Sequence, residues 1–424
     1  MQERDRHQRL LQPLLSTDRS FYLLSGALLV LIGWFVFAWL TQLRNGLGVT
    51  AMRTPVGAAW GIYIANFIFF ACMAHGGMAI SAAVRLLKLK RFLPVARMGE
   101  VLTIVALMMA GLSILIDLGR PDRAFNVIWY LPQRIGTSPL SWDVTVILLY
   151  LSLSAAYLWL TMRRDLMLSA DRFARRGLLY RALLIGYRPE DQGKIERTAW
   201  WLSIAILILI VMLSGGVIPW IFGLVPSRPG WFGAMAGPYF LTAAMATSIA
   251  AVIIIGTTLR RLFRWQEYIN AGLFKELGVV LGVLTHLYIY LTVAEQFTMR
   301  YASPHAELLV SEMLLQGEFA PIYWAVLIGG FALPAVWLVA QAIYPRLFRP
   351  GVTALLAAAI LIAFWLKRFL IVIPSLLRPL LPFPSGSYTP SWVEWSVIAG
   401  VFALAALLYL LFIKVFPMVE LGEE

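Results

Sequence analysis

Eight titratable or cationic side chains lie inside strongly apolar stretches of this sequence. They are His75, Glu100, Asp117, Glu276, His286, Glu295, Lys367 and Arg368. Ionisable groups are costly in hydrocarbon, so each one is a candidate for function and needs a partner or a water-filled path. Imidazole and carboxylate are the usual groups for proton exchange near neutral pH. The set therefore predicts proton transfer at several depths of an apolar domain.

The first histidine lies in the segment FACMAHGGMAI, at residues 70–80. Gly76 and Gly77 thin the helix beside His75, which permits close helix packing or leaves room for a flat ring. Tyr63 and Asn66 lie earlier in the same apolar stretch, 59–86, nearer its outer end, and are further candidates for ligand binding. Asn66 lies on roughly the face opposite His75, because nine residues separate them. The alternative for His75 is a packing role, with its ring bonded to a backbone carbonyl.

A second candidate lies in SILIDLGRPDR, where an apolar helix is expected to end. Gly119 and Pro121 stop the helix sharply and leave Asp117 on its last turn. We expect Arg120 either to pair with Asp117 or to anchor a partner protein. Asp117 can exchange protons, or it can act only as a rim carboxylate that fixes the turn.

The remaining charges permit simpler explanations to different degrees. Glu100 and Glu276 begin apolar segments, where a carboxylate also complements the positive end of a helix. Glu295 lies at the end of one, where a charged side chain can reach the surface. Lys367 and Arg368 lie well inside an apolar segment, so at least one of them needs a carboxylate or carbonyl partner there.

The composition is typical of a polytopic membrane protein. The 424 residues are 60% hydrophobic and 13% charged, whereas soluble domains have about 25% charged residues. One crossing needs about 20 mostly apolar residues. Ten segments qualify: 21–41, 59–86, 98–118, 142–162, 198–222, 236–258, 271–294, 319–344, 351–375 and 392–415. The sequence therefore predicts an all-α integral membrane protein with ten transmembrane helices.

The distribution of positive charge supports ten spans and orients them. Of the 35 Lys and Arg residues, 25 lie in the two termini and in alternate loops, and eight lie in the opposite loops. Positive-inside bias then places both termini in the cytoplasm. It also explains the net charge of +13 as a topology signal, so nucleic acid is not needed as a partner. The predicted domains are a cytoplasmic segment 1–20, a membrane domain 21–415 and a cytoplasmic tail 416–424.

A weak internal repeat predicts how the spans are grouped. A shift of 176 residues aligns Tyr63 with Tyr239 and Glu100 with Glu276. The offset is four spans, so both copies have the same orientation in the membrane. We therefore expect two four-helix bundles, formed by spans 2–5 and spans 6–9, with spans 1 and 10 peripheral.

Residue counts limit the cofactors that this chain can hold. Cys72 is the single cysteine, which excludes a disulfide framework, a multi-Cys zinc site and a Cys-ligated iron–sulfur cluster within the chain. Four histidines, two of them in apolar segments, leave room for at most one bis-His haem. The motifs of common hydrolases and nucleotide-binding proteins are absent. The proton-capable groups instead suit a hydrophobic redox carrier, because a quinol needs a donor or acceptor near each ring oxygen.

Several stretches resemble the NrfD/PsrC family of membrane subunits. In the first half they are WGIYIANFIFFACMAHGG at 60–77, RMGEVLTI at 97–104, LIDLGRPDR at 115–123 and TSPLSWD at 137–143. In the second half FKELG at 274–278, KRFLIVIP at 367–374, YTPSWVEW at 388–395 and KVFPMVEL at 414–421 resemble its longer, ten-helix members. These include the membrane subunits of alternative complex III.

The resemblance implies a subunit without haem or iron–sulfur cluster that exchanges electrons between the quinone pool and an iron–sulfur (ferredoxin-like) partner. His75 matches the quinol-site histidine of the alternative-complex-III-like members. In shorter members the quinone-facing Asn and His lie earlier on this helix, near Tyr63 and Asn66, but no histidine stands there in this sequence. The family also suggests proton translocation, for which Glu100, Glu276, His286, Glu295, Lys367 and Arg368 are candidates.

We therefore expect a quinone- or quinol-interacting subunit of a respiratory or photosynthetic complex in a bacterial cytoplasmic membrane. The ligand is menaquinone or ubiquinone, His75 and Asp117 exchange protons with it, and Arg120, Tyr63 and Asn66 help to bind it. The expected partners are the iron–sulfur subunit, a molybdopterin-type or cytochrome c subunit and other membrane subunits. Two alternatives remain: a proton-coupled transporter, and a structural anchor without an active quinone site.

Overall fold

A computed structural model describes residues 12–15, 19–53, 58–170, 177–225, 227–233, 235–301, 305–378 and 386–420. Within these ranges the chain is helical and has no strand. Ten helices there are long and apolar enough to cross a membrane, which confirms the predicted number. They are α1 Arg19–Asn45, α2 Ile62–Leu86, α3 Lys90–Asp117, α4 Pro139–Ser169, α5 Pro189–Gly223, α6 Ala236–Leu262, α7 Ala271–Tyr301, α8 Ala320–Ile343, α9 Pro350–Leu376 and α10 Trp392–Val415.

The predicted terminal segments are largely outside this description. Residues 1–11, 16–18 and 421–424 lie outside the described residues, and a four-residue helix, Gln12–Leu15, precedes α1. Short helices also occur in the connections: Leu47–Val49, Pro121–Arg123, Phe125–Trp129, Leu131–Arg134, Gly177–Leu183, His305–Leu315 and Pro345–Leu347.

The helices form the two predicted bundles. In the first bundle α2, α3, α4 and α5 pack around one another, and in the second bundle α6, α7, α8 and α9 do so. α1 and α10 pack against each other outside both bundles, and Gly400 of α10 provides the space for Phe35 of α1. α10 also contacts α3, so this pair lies against the first bundle.

α2 joins the two bundles. Besides its own bundle it contacts α6 and α9, and 89% of its most apolar stretch is buried, against 11% for α1. A Cβ atom on Gly77 would lie 2.7 Å from the carbonyl oxygen of Gly99 on α3. One on Gly76 would lie 2.5 Å from the carbonyl oxygen of Ala244 on α6. The two glycines therefore serve close packing on two sides of the helix.

Successive helices run antiparallel, so the first bundle has two distinct ends. We call them the Asp117 end, where α2 and α4 begin and α3 and α5 finish, and the Glu100 end, which is opposite. α5 has one irregularity near the Asp117 end, a π-helical stretch at Leu213–Val217. Such stretches often occur at functional sites, because the extra residue changes the direction of the side chains.

Candidate functional site

A cavity of about 350 Å³ lies at the Asp117 end of the first bundle, between α2, α3, α4 and α5. Its volume is within the range of small-molecule sites. Most of its wall is aliphatic or aromatic, including Trp60, Phe67, Ile114 and Phe222. Three ionisable side chains, Arg53, Asp117 and Asp143, also line it. This combination suits a flat apolar ligand that carries polar substituents.

Asp117 is the predicted site residue that lines the cavity. Arg53 Nη2 donates to Asp117 Oδ2 at 3.2 Å and to the Asp117 carbonyl oxygen at 3.0 Å. The other carboxylate oxygen, Oδ1, is buried and accepts no hydrogen bond from the described residues. A buried acceptor that has no hydrogen bond costs about 1–3 kcal/mol of stability. The atom is therefore available to a hydroxyl group of a ligand or to a water molecule.

A second carboxylate, Asp143, lines the same cavity from the beginning of α4. The lining thus has two carboxylates and one guanidinium, Arg53. Two acidic groups on different helices can contact two different oxygen atoms of one ligand. The cavity therefore has the acid–base groups that a ligand with two exchangeable protons requires.

Aromatic rings form one wall of the cavity. The ring of Trp60 stacks on Trp231 at a centroid distance of 5.3 Å and meets Phe222 edge-on at 6.2 Å. Trp231 Nε1 donates to the carbonyl oxygen of Ile371 on α9 at 2.9 Å. Because this hydrogen bond reaches the second bundle, the wall is fixed from both bundles.

Arg120 does not pair with Asp117, so that expected pairing is wrong. Its guanidinium donates to Asp122, with distances of 3.1 and 3.0 Å, and both side chains are exposed. Gly119 has φ +69, and a Cβ atom there would meet the side chain of Leu47, so the chain turns away as soon as the helix ends. The turn directs Arg120 outward, and Arg53, 64 residues before Asp117, takes the expected role.

Glu394 holds the loop that carries Arg53, through the backbone of Ala51. The Glu394 carboxylate is fully buried and accepts from Ala51 N at 2.9 Å, from Ser391 N at 2.8 Å and from the Tyr388 hydroxyl at 2.5 Å. The Tyr388 hydroxyl accepts in turn from Ile62 N at 2.9 Å. One carboxylate thus connects the start of α10, the start of α2 and the loop that carries Arg53.

Tyr63 and Asn66 are buried and do not line the cavity. The Tyr63 hydroxyl donates to Gln42 Oε1 on α1 at 2.8 Å. Asn66 Nδ2 donates to Ser113 Oγ on α3 at 3.1 Å, and Asn66 Oδ1 accepts from Trp365 Nε1 on α9 at 3.1 Å. Both side chains therefore join helices in this structure, and their predicted role in ligand binding stays a prediction.

His75 lies inside the first bundle and is 2% exposed. Its Nδ1 is 2.5 Å from Ser214 Oγ in the π-helical stretch of α5, and its ring lies 5.3 Å from that of Tyr150. His75 does not line the cavity, but Ser214 lies one turn before Ile218, which does. Asp117 and His75 are thus in one bundle and not in one pocket. The alternative role expected for His75 was a ring bonded to a backbone carbonyl, but the ring is bonded to the hydroxyl group of Ser214.

Glu100 is fully buried at the opposite end of the first bundle. Ser81 Oγ donates to its Oε1 at 2.5 Å and Thr161 Oγ1 to its Oε2 at 3.2 Å. Arg85 lies 4.0 Å from the same carboxylate and 2.5 Å from Glu420. Glu100 therefore belongs to a buried polar network. It lies ten residues after the start of α3, so the expected interaction with the positive end of the helix is not made.

Glu276 and His286 do not join any buried polar network among the described residues. Glu276 forms an ion pair with Arg91, and both side chains are exposed. His286 is on an exposed position of α7, and its Nδ1 is 2.8 Å from the carbonyl oxygen of Gly282. Neither position favours a proton path through the second bundle.

Lys367 and Arg368 are buried in the second bundle, as their position in the sequence predicts. Lys367 Nζ lies over the rings of Tyr239 and Tyr323, at 5.8 and 5.3 Å. The Arg368 guanidinium lies 5.0 Å from the Phe240 ring. No ion pair among the described residues includes either cation, so the expected carboxylate partner is not in contact. The guanidinium nitrogens of Arg368 also have no hydrogen-bond acceptor, carbonyl oxygens included, in the described part of the chain.

The chief residue of the site that the sequence analysis did not identify is Arg53, and Glu420 is its counterpart in the network at the Glu100 end. Arg53 had one available signal, since it is one of the few cations on the side where positive-inside bias does not place them. Within the described part of the chain no group of three or more His, Cys, Asp and Glu side chains is arranged to hold a metal ion.

Comparisons with known proteins agree on one family. The family model described as polysulphide reductase, NrfD, matches residues 48–379. The chain is 27% identical to a putative dimethyl sulfoxide reductase membrane subunit of Halobacterium salinarum, over 92% of this chain and 90% of that protein. It is 25% identical to a selenate reductase subunit of Mesobacillus selenatarsenatis, over 90% and 91%. It is 22% identical to the menaquinone reductase integral membrane subunit of Nitratidesulfovibrio vulgaris, over 92% and 90%.

Proposed function

The chain belongs to the NrfD polysulphide reductase family, and we propose that it is the quinone-interacting membrane subunit of a multi-subunit redox complex. The observation that carries this proposal is the cavity at the Asp117 end, with its aromatic wall and the unpartnered Oδ1 of Asp117. The names of two relatives, a menaquinone reductase subunit and an Hdr-like menaquinol oxidoreductase subunit, support the same ligand class.

The residues of the cavity fit a quinone head group. Trp60 and Phe222 offer ring faces and edges to a flat ring. Asp117 Oδ1 would accept a hydrogen bond from a ring hydroxyl and then its proton, while Arg53 holds the other carboxylate oxygen and so keeps the acceptor in place. Asp143 contacts the same space from α4. A bound quinone or quinol supplies two-electron, two-proton redox chemistry.

The electrons need a partner outside this chain. Cys72 cannot hold an iron–sulfur cluster alone, so we propose that an iron–sulfur protein docks at the Asp117 end, accompanied by a molybdopterin-type or cytochrome c partner. Positive-inside bias assigns the Asp117 end to the outside of a bacterial cytoplasmic membrane, with both termini inside. Arg120 and Asp122 form an exposed ion pair at this end, outside the cavity.

Proton translocation, the finer part of the proposal, is supported by polar side chains inside the first bundle. On α4, Tyr150, Ser154, Tyr157 and Thr161 share one buried or part-buried stripe at helical spacing. Tyr157 lies 3.4 Å from Ser81 and accepts from Ser203 at 3.2 Å. This stripe extends from Glu100 at one end to the neighbourhood of His75 at the other, so we propose that protons move along it.

The test is quinol oxidation by the purified complex with Asp117→Asn, compared with Asp122→Asn as the matched control. Asp122 lies five residues later in an exposed ion pair outside the cavity. We expect D117N to lower kcat by about a hundredfold or more, as for the loss of a general base, and D122N to retain wild-type turnover. Wild-type turnover in D117N would refute the assignment.

The two alternative functions give different outcomes in the same preparation. A transporter would purify without redox subunits and would bind a water-soluble substrate. A structural anchor would purify within a complex and would contain no quinone in its lipid extract. Quinone in the extract of the wild-type complex, together with loss of turnover in D117N, supports the proposed function against both.

A further inference from the structure

Five charged side chains form a buried cluster at the Glu100 end of the first bundle. They are Arg85 on α2, Arg97 and Glu100 on α3, Asp165 on α4, and Glu420 in the segment after α10. Arg97 lies 2.6 Å from Asp165 and 3.7 Å from Glu420, and Arg85 lies 2.5 Å from Glu420 and 4.0 Å from Glu100. The side chain of Glu420 is 13% exposed, and those of Arg97 and Glu100 are fully buried.

The cluster has more carboxylates than guanidinium groups. Three carboxylates, Glu100, Asp165 and Glu420, thus lie within one small space beside two guanidinium groups. Carboxylates are proton donors and acceptors, so neighbouring ones provide successive positions for a proton.

Only part of the cluster lies next to a space that can hold water. A small cavity of about 30 Å³ contacts Glu420, Asp165 and Arg85, which is enough space for a water molecule. Glu100 does not line this cavity. Asp165 pairs with Arg97 at 2.6 Å, whereas Glu420 pairs with Arg85, which also lies 4.0 Å from Glu100. Glu420 is therefore the carboxylate that connects the cavity with Glu100.

The segment that carries Glu420 is fixed in this place. Met418 and Val419 are buried, and Arg97 Nη1 donates to the Pro417 carbonyl oxygen at 3.4 Å. The hydroxyl of Tyr180 donates to the Val415 carbonyl oxygen at 2.6 Å. Glu420 thus closes the Glu100 end of the bundle from outside its four helices.

We propose that Glu420 is the group through which the first bundle exchanges protons with the aqueous phase at the Glu100 end. The proton passes from water to the Glu420 carboxylate and then, beside Arg85, to Glu100, which is bonded to Ser81. The proposal rests on the proposed proton translocation and gives it an entrance. No electron is transferred in this step, and Glu420 returns to its ionised form when the proton moves on.

The other charged groups around Glu420 come from every neighbouring element. Arg164 and Glu196 line the same small cavity, from α4 and α5, and the Arg85 guanidinium lies 5.7 Å from the centre of the Tyr157 ring. Burial raises the pKa of the Glu420 carboxyl, while Arg85 and Arg97 oppose the rise.

The experiment compares Glu420→Gln with Glu196→Gln in the complex reconstituted into vesicles. Glu196 lines the same cavity but is exposed and bonded to Gln192, so it is the matched control. We expect E420Q to slow proton uptake at the Glu100 end by about tenfold or more, with quinol oxidation continuing in uncoupled vesicles, and E196Q to match the wild type. Wild-type uptake in E420Q would overturn the proposal.

A second measurement does not depend on turnover. In infrared difference spectra after a pH change, the complex without added quinol should show a protonated carboxyl band that disappears in E420Q and persists in E196Q. A band that persists in E420Q would also overturn the proposal. Should E420Q fail to assemble, Glu420→Asp keeps an acid one methylene further away, and unchanged uptake and an unshifted band would count against Glu420. Absence of quinol oxidation in the wild type would refute the proposed function and leave the infrared result to decide on Glu420.

Discussion

The ion pair between Arg53 and Asp117 gives the sharpest prediction for the candidate site. In Arg53→Met the apolar stem is retained, while the hydrogen bonds to the Asp117 carboxylate and carbonyl oxygen are lost. The Asp117 side chain is 8% exposed, so in R53M its carboxylate would remain buried without the guanidinium group. The Arg53 side chain is 40% exposed, so water can replace part of the hydrogen bonding that the guanidinium group provided.

The magnitude follows from these two exposures. A charge-assisted hydrogen bond is worth about 1.5–3 kcal/mol, and an exposed ion pair about 0–1 kcal/mol. For a pair with one buried and one half-exposed member, we expect R53M to lower the free energy of unfolding by about 1–2 kcal/mol. If the transition state for quinol oxidation loses the same 1–2 kcal/mol of stabilisation, kcat/KM for quinol falls by about fivefold to thirtyfold.

The matched control is Arg120→Met. Arg120 also pairs with an aspartate at this end, but both partners are exposed, so we expect wild-type stability and turnover in R120M. Thermal unfolding and quinol kinetics should be measured for R53M, D117N and the double variant. If Arg53 acts through Asp117, the double variant loses no more than D117N alone. Equal effects of R53M and R120M, or additive losses in the double variant, would refute the reasoning.

Three further predictions concern packing, positioning and pH. Gly77→Ala forces a Cβ against a backbone carbonyl on α3 and should cost about 1–3 kcal/mol of stability, whereas Gly33→Ala, with open space around it, should not lower the melting temperature. Glu394→Gln replaces an oxygen that accepts backbone and hydroxyl hydrogen bonds, so it should raise KM for quinol more than it lowers Tm; an unchanged KM contradicts the positioning role. Because burial raises the pKa of Glu420 above the value of about 4.3 in the unfolded chain, its contribution to stability is present at low pH and is lost as pH rises through the raised pKa. The slope of Tm against pH should therefore be smaller in Glu420→Gln, and equal slopes contradict the raised pKa.

The fold was largely accessible from the sequence, for a simple physical reason. A helix in hydrocarbon must satisfy its backbone internally and needs a fixed apolar length, so each span is visible on its own. The span predicted at 351–375 is Pro350–Leu376 in the structure. The span predicted at 142–162 is Pro139–Ser169, because helix continues beyond the apolar stretch, where hydropathy no longer signals it.

The site was accessible only in part. Asp117 was identified because a carboxylate on the last turn of an apolar helix is unusual by itself. Its cationic partner was misassigned because Arg120 is close in sequence, whereas the left-handed turn at Gly119 sends Arg120 away. Arg53 and Glu394 come from a distant loop and helix, and their contacts depend on tertiary packing.

The buried cluster at the Glu100 end was not predicted for a similar reason. Glu100 was recognised as a candidate, but its neighbourhood includes Glu420, 320 residues away in sequence, beyond the last span. A charged residue in a terminal segment normally indicates a solvated tail. The packing of Met418 and Val419, together with hydrogen bonds from Arg97 and Tyr180, holds that segment on the bundle.

The central position of α2 has a consequence for biogenesis. Asn66 of α2 receives one of its hydrogen bonds from Trp365 of α9, which a ribosome makes 299 residues later. Helices enter the bilayer in order. Until most of the chain has been synthesised, α2 must therefore wait in lipid or beside an insertion factor without the hydrogen bond from Trp365 to Asn66 Oδ1. Substitutions that weaken α9 should therefore expose α2 to quality-control proteases during synthesis, even where the assembled protein would tolerate them.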